Sequence, residues 1–315
     1  MILVGDFGGT RTRLACADGK PGAWSISQLR EYPTGGDAAS LVRRYLADAA
    51  GPTPMAAAFC GAGPLSDDGS IRLTNADLAL DPAALAAAAG QARVALINDF
   101  AAIGHAVPLL GPELLEPCGG GKAVRDAPRL VIGPGTGLGV AIAVPAAGSW
   151  TVIQGDGGHA DLAPVDDEQL EAWRELRAAR GRVAAETVLC GPGLERLHAV
   201  LSPGSTQGAE QIAEAAWRGE AGARRAVQMF TRWLGSVAGN LALTAGARGG
   251  VLIAGGIVPR WGRHFDAALF RAAFEAKPPY VEWLRAIPSF VVTHPHPGLL
   301  GLAALAGESL REPRR

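Results

Sequence analysis

Lysine is nearly missing from this chain of 315 residues: only Lys20, Lys122 and Lys277 occur, and arginine supplies the rest of the basic charge. No lysine stands in a G-x-x-x-x-G-K-[ST] run, which excludes a P-loop. Cysteine is scarce and scattered (Cys16, Cys60, Cys118, Cys190), with no C-x-x-C and no histidine-paired spacing, so a zinc framework is not expected. These four read as reduced thiols of a cytoplasmic protein, three of them in apolar surroundings. An excess of either charge is absent as well, with 29 basic against 30 acidic residues, so no global field favours nucleic acid or a membrane surface. The opening residues lack a basic segment ahead of an apolar core, and a secretory leader is not expected. The uncharged run Leu130 to Thr151 is long enough to raise the question of a membrane span, but Gly133, Pro134, Gly135, Gly137, Gly139 and Pro145 break any continuous helix. It reads as two buried strands around a turn.

What is present is apolar bulk and glycine. Hydrophobic residues make up 48 %, and the mean hydropathy of +0.16 fits a well-buried globular chain of two ordinary domains. Twice an apolar strand runs into a glycine-laced turn and out into a second apolar strand. The first copy spans 2–15, with Gly5-Asp6-Phe7-Gly8-Gly9-Thr10 at the turn; the second spans 130–141, with Gly133-Pro134-Gly135-Thr136-Gly137. Glycines there let backbone N–H groups approach an anion, and Thr10 and Thr136 add a hydroxyl to each turn. Two such clamps suggest two lobes closing on one polyphosphate. A dinucleotide reading of Gly135-x-Gly137-x-Gly139 fails, because strand-like residues follow it where a helix is required.

The first hundred residues alternate strands (Ile2–Val4, Arg11–Ala17, Ala23–Leu29, Met55–Cys60, Val94–Ile97) with helical stretches at Ala38–Ala49 and Pro82–Ala89. Strands separated by helices predict a mostly parallel α/β sheet, with the opening pair as an antiparallel hairpin on it. Gly61–Gly69 reads as a turn-rich connection, and the stretch from Pro108 through Gly119-Gly120-Gly121 as loops. Longer helices are expected at Asp167–Arg180, Gln207–Trp217 and Ala221–Ala245, the last as a core helix. Short strands at Val251–Ala254 and Phe290–Val292 precede a terminal helix, Gly298–Leu310, and a charged tail, Arg311–Arg315. The duplicated strand-turn-strand start is the only coarse repeat read here.

Asp6 sits at a strand end beside phosphate-directed amides, and its carboxylate suits Mg²⁺ held directly or through water. Asn98 and Asp99 follow a buried strand, where open α/β sheets present functional groups. Asp99 is a candidate base for a substrate hydroxyl and Asn98 a hydrogen-bonding partner, although either residue also serves as a helix N-cap. Asp156, His159 and Glu186 offer acceptors and donors for vicinal hydroxyls; a metal cluster of Asp156, His159 and Asp161 is the less favoured alternative. Gly255 and Gly256 end an apolar strand and leave room for a flat ring, or for a close helix crossing. His294-x-His296 has ligand spacing but alternates with prolines, and reads as a rigid surface connection.

The set as a whole resembles the non-zinc bacterial glucokinase family, within the hexokinase, actin and heat-shock ATPase superfamily. The resemblance runs over nearly the whole length: Gly5–Thr10, Ile97-Asn98-Asp99-Phe100, Gly135–Gly139, Gly157-Gly158-His159, Ala185-Glu186, Leu189–Leu194, Ile253–Arg260 and Pro297–Gly301. It implies a two-lobed actin-like ATPase (ribonuclease H-like) α/β fold with a cleft between a small domain, residues 1–109 and 296–315, and a larger one, residues 110–295. It implies ATP-dependent phosphorylation of glucose at its 6-hydroxyl, with Asp99 as base and Asn98, Asp99, Asp156, His159 and Glu186 around the sugar. ATP would lie on Gly5, Asp6, Gly8, Gly9, Thr10, Gly135, Thr136, Gly137, Gly255 and Gly256, with Mg²⁺ at Asp6. A cytoplasmic homodimer of glycolysis, without nucleic-acid or membrane partners, is the implied setting. Two departures stand out. Asp156 replaces the family's glutamate ahead of Gly-Gly-His, one methylene shorter, and Arg11-Thr12 replaces Asn-Ala, placing an extra cation beside the first turn. The first keeps open a kinase for another hexose, or a non-catalytic sugar sensor.

Overall fold

The computed structural model describes residues 1–49 and 51–310. Its first elements are β1 (Ile2–Phe7), β2 (Arg11–Lys20), β3 (Ala23–Pro33), α1 (Ala38–Ala49), β4 (Ala56–Gly61), β5 (Ile71–Arg72), β6 (Ala79–Leu80), α2 (Pro82–Ala88), β7 (Arg93–Asn98) and α3 (Asp99–Ala106). There follow β8 (Leu115–Gly119), β9 (Arg129–Pro134), β10 (Leu138–Ala146), β11 (Ser149–Gly155), α4 (Asp167–Arg180), α5 (Ala185–Val188), α6 (Gly191–Leu201), α7 (Ala209–Trp217) and α8 (Ala221–Ala245). The chain closes with β12 (Val251–Ile253), α9 (Val258–Trp261), α10 (Ala267–Glu275), α11 (Val281–Arg285), β13 (Ser289–Val292) and α12 (Pro297–Ser309). Two compact units emerge: Met1–Gly111 with Ser149–Gln154 and the described residues from His294 onward, and Pro112–Gly148 with Gly155–Thr293.

The five-stranded sheet runs β3–β2–β1–β4–β7, with β1, β4 and β7 parallel and the β1–β2–β3 meander antiparallel. The six-stranded sheet runs β11–β10–β9–β12–β13–β8. Leaving out β8, the two orders are the same: third, second, first, fourth, fifth strand. The repeat visible in the sequence as two glycine turns is thus a repeat of whole topology.

Alternation along β1 assigns its two faces. Leu3 and Phe7 join a core with Tyr45, Val42 and Leu85 under α1 and α2. Ile2 and Val4 join a second core with Ala102, Leu299, Leu302 and Ala306 under α3 and α12. The second unit is built on one large core around α8, in which Trp233, Phe230 and Leu234 are fully buried. All four cysteines are buried and free.

α1, α4 and α8 end where their composition predicts. Gly181 (φ 79°) and Gly246 (φ 61°) stop α4 and α8 in conformations closed to most side chains. β8 lies inside a stretch read as loop; Pro117 and Gly119 hide it, and both are tolerated because β8 is an edge strand. The tiny β5–β6 hairpin is too short to show a period. α6 begins Gly-Pro-Gly, which reads as a turn, yet Pro192 is well placed in the first turn of a helix. The tail at 311–315 lies outside the described residues.

Candidate functional site

Register places one polar row across the first sheet. Glu31, Arg13, Asp6 and Cys60 are successive cross-strand neighbours on β3, β2, β1 and β4, and Ile97 on β7 continues the row. Arg13 Nε donates to Glu31 Oε1 at 2.8 Å, and its Nη1 stands 3.5 Å from Asp6 Oδ2. The Cys60 thiol donates to Asp6 Oδ1 at 3.6 Å. Burial raises the Asp6 carboxyl above its ordinary range, and Arg13 pulls against that rise. The Cys60 thiol is driven far up by burial and by the facing Asp6 and Asp99 carboxylates, so it is inert as a nucleophile.

The turn between β1 and β2 is held from β3. Gly8 N–H donates to Arg11 O at 3.1 Å and Thr34 N–H to Thr10 O at 3.0 Å. The Thr34 hydroxyl donates to Gly8 O at 2.8 Å and lies 3.0 Å from the buried Thr12 hydroxyl. Asn75 packs against Gly9. Thr34 and Asn75 come from segments far along the chain, and nothing local in the sequence marks them.

Asn98 is the N-cap of α3: its Oδ1 accepts Phe100 N–H at 2.8 Å and Ala101 N–H at 3.4 Å, while Nδ2 donates to Gly63 O at 3.2 Å. Asp99, the first helical residue, accepts Phe100 N–H at 2.9 Å. Desolvation, then the negative Asp6, push the Asp99 carboxyl up to about 7. A carboxyl poised near neutrality on a helix start is suited to general-base work. His296, expected on a surface connection, is half-buried as the N-cap of α12; burial lowers its pKa, and it lies in the field of Asp6, Arg13 and Glu31.

In the second unit the Gly135–Gly137 turn is pinned on three sides. Gly135 N–H donates to Gly137 O at 2.8 Å, Gly191 N–H at the start of α6 donates to Gly135 O at 2.8 Å, and Ile257 N–H donates to Pro134 O at 3.2 Å. Gly255 (φ 81°) lies so close to Pro134 O that no side chain fits there. Thr136 stands exposed at the turn, and Gly256 faces open space.

Glu186, on α5, reaches this turn: its Oε2 accepts Leu138 N–H at 2.7 Å. Its Oε1 stands 3.8 Å from His159 Nε2. His159 is carried on a short turn of helix, 157–159, where Gly158 lies directly on Leu138 O. Ala185 N–H donates to Ala160 O at 2.8 Å, and Arg182 grips Asp161 through two bonds, 2.5 and 2.9 Å, so the His159 loop and α5 are stapled together. Asp161 is therefore engaged by a guanidinium. Asp156 is exposed at the head of this loop, its carbonyl accepting His159 N–H at 2.9 Å.

The profile of the Glucokinase family matches residues 3–309. The chain belongs to the glucokinase family. It is similar to a glucokinase of Ralstonia nicotianae, 41 % identical over 96 % of this chain and 94 % of that one. Among solved structures it resembles a glucokinase from an Antarctic psychrotroph, with a TM-score of 0.87, 32 % identity and 98 % of both chains covered. A glucokinase of the ROK family from Streptomyces griseus, solved with glucose and AMPPNP, shares the fold at a TM-score of 0.68 and 22 % identity, over 97 % of this chain and 99 % of that one. The fold is the actin-like ATPase fold of these sugar kinases.

Against the glucokinase pattern, the Arg11 departure has a structural outcome: its Nη1 donates to Glu31 Oε2 at 3.0 Å, so the added cation shares the Glu31 carboxylate with Arg13. The pair of arginines lowers the Glu31 pKa through hydrogen bonds, Arg13 first. Arg13 and Cys60 are the site neighbours that motif reading passed over; the signal available was that each falls opposite Asp6 once β1, β2 and β4 are aligned.

Proposed function

We propose that this glucokinase-family chain transfers the terminal phosphoryl group of ATP to the 6-hydroxyl of glucose, giving glucose 6-phosphate and ADP. Asp99 carries the reading: a carboxyl at a helix start, pushed up to about 7, is suited to take a hydroxyl proton. As that proton passes to Asp99, the bond from the 6-oxygen to phosphorus forms and the bridging oxygen–phosphorus bond of ATP breaks, releasing ADP. Asn98, Asp156, His159 and Glu186 are assigned to the other hydroxyls. Gly5, Asp6 and Gly8–Thr10 in the first unit, and Gly135–Gly137 with Gly255 and Gly256 in the second, are assigned to the nucleotide, the two turns to its phosphates and Gly255 and Gly256 to its flat base.

Asp6 suits magnesium by donor chemistry. It is a carboxylate at a strand end whose negative charge is felt by Asp99 and only partly offset by Arg13 at 3.5 Å. When bound, the ion supplies charge neutralisation to the phosphates. The four buried free thiols support a reducing, cytoplasmic setting. A glycolytic role, a homodimer, and lobes of 1–109 with 296–315 and of 110–295 complete the reading.

A coupled assay of ADP release over a panel of hexoses tests it. Magnesium-dependent release that requires glucose supports the proposal, and hexose binding without turnover refutes it in favour of a sensor. The exposed, shortened Asp156 favours one second reading, in which another hexose is preferred. The same panel decides between them.

A further inference from the structure

One carboxylate in the second unit faces two ways. Glu186 Oε2 accepts the N–H of Leu138 at 2.7 Å, and Leu138 directly follows the Gly135–Gly137 turn. Gly137 itself lies against that same oxygen, so closely that a Cβ added there would collide with it. The opposite oxygen, Oε1, stands 3.8 Å from His159 Nε2, beyond hydrogen-bonding range. The backbone beneath is fixed: Ala185 N–H is bonded to Ala160 O, Ala184 N–H to Thr187 Oγ1, and the Cys190 thiol to Glu186 O. The Glu186 carboxylate is tied down by the Leu138 N–H through Oε2, which leaves Oε1 for a second partner.

We propose that Glu186 is the residue through which hexose and nucleotide tighten each other's binding. One oxygen takes a sugar hydroxyl while the other orders the phosphate turn. This rests on the sugar-kinase reading given above. A carboxylate is planar, so its two oxygens move together. A hydroxyl that donates to Oε1 fixes the plane, holds Oε2 on Leu138 N–H, and so steadies the end of the Gly135–Gly137 turn. A phosphate that orders the turn first fixes the same plane from the other side. Whichever ligand arrives second finds the ordering already done, and the effect is the same in both directions.

Gly137→Ala separates this from a plain phosphate-turn role. The added methyl meets the far end of a flexible side chain, so Glu186 yields and leaves Leu138, while the turn backbone keeps its φ. The experiment is calorimetric titration of glucose and of AMPPNP, each with and without the other, on the unsubstituted protein, Gly137→Ala, Glu186→Gln and the double variant. The unsubstituted protein is expected to bind each ligand roughly five- to tenfold tighter in the presence of the other. Gly137→Ala is expected to weaken glucose binding by about tenfold with no nucleotide present, at a position assigned to phosphate, and to abolish the mutual tightening. The double variant should lose little beyond Glu186→Gln alone, because both act through one contact. Should Gly137→Ala not fold, Glu186→Gln still decides the matter by the loss of mutual tightening. Independent binding of the two ligands to the unsubstituted protein, or a folded Gly137→Ala with undiminished glucose affinity, overturns the proposal. Failure of the unsubstituted protein to bind glucose at all overturns the kinase reading itself, and this inference with it.

Discussion

Asp99 sets a conflict between stability and chemistry at a single side chain. Its carboxyl is pushed from an ordinary 3.8 up to about 7, first by desolvation and then by Asp6. The native protein therefore binds more protons than the unfolded chain between those two values, and stability falls as pH rises through that interval. Asp99→Asn is expected to raise the Tm at pH 8 while leaving it unchanged at pH 4. It should cost turnover 10²- to 10⁴-fold, the usual contribution of a general base, yet leave glucose binding measurable. In the unsubstituted protein kcat/KM is expected to decline as pH drops below about 7 and the base takes up its proton. A thermal melt at two pH values and one pH–rate profile check all three outcomes; near-normal kcat in the variant contradicts the base assignment. At Asp156, restoring the longer side chain with Asp156→Glu is expected to raise kcat/KM for glucose relative to mannose by roughly tenfold, a single well-placed contact. An unchanged ratio removes that residue from sugar selection. The residues legible at this scale were those with a local signature: Asp6 and Asp99 at strand ends, and the glycines of both turns. Arg13, Cys60, Thr34 and Asn75 were not, because strand register and chain return, rather than spacing, bring them to Asp6 and Gly9.

Among the elements, the helices were read well where composition and a stop coincide, as at Gly181 and Gly246. β8 escaped because an edge strand needs neither alternation nor freedom from proline, and α6 because its first turn is written in turn-forming residues. The staple between the His159 loop and α5 yields a prediction confined to this level. Arg182 and Asp161 are both largely exposed, so Arg182→Ala is expected to leave the urea unfolding midpoint nearly unchanged. Its effect should fall instead on the KM for the sugar, rising severalfold with kcat nearly kept, since the pair orients the loop that carries His159. A rise in neither parameter would make the pair decorative. The crossing of α3 and α12 is a second such point. Gly301 lies on Ala102 O with no room for a methyl, so Gly301→Ala is expected to destabilise by roughly 1–3 kcal/mol as the helices are forced apart. Urea denaturation measures it.

Across the whole molecule, the two sheets carry the same strand order, and the core around α8 is separate from the two on the first sheet. Calorimetry is expected to resolve two transitions, with Gly301→Ala displacing one and sparing the other; a single shifted transition would show that the cores melt as one. The doubling was legible as two glycine turns, while the matching order of the later strands was not, since β12 and β13 are too short to carry a pattern that pairs them with β4 and β7. α12 has a different implication. It follows every other described element in the chain, and Leu299, Leu302, Ala303 and Ala306 seal the side of the first sheet that Ile2, Val4, Ala15 and Ala58 begin. On the ribosome that greasy surface is made long before α12 can roof it. The nascent sheet carries only α3 on that flank until Pro297–Ser309 has been made, so its closure waits on residues some two hundred positions further along. A transcript cut just before Pro297 should yield a product held by chaperones or lost to inclusion bodies.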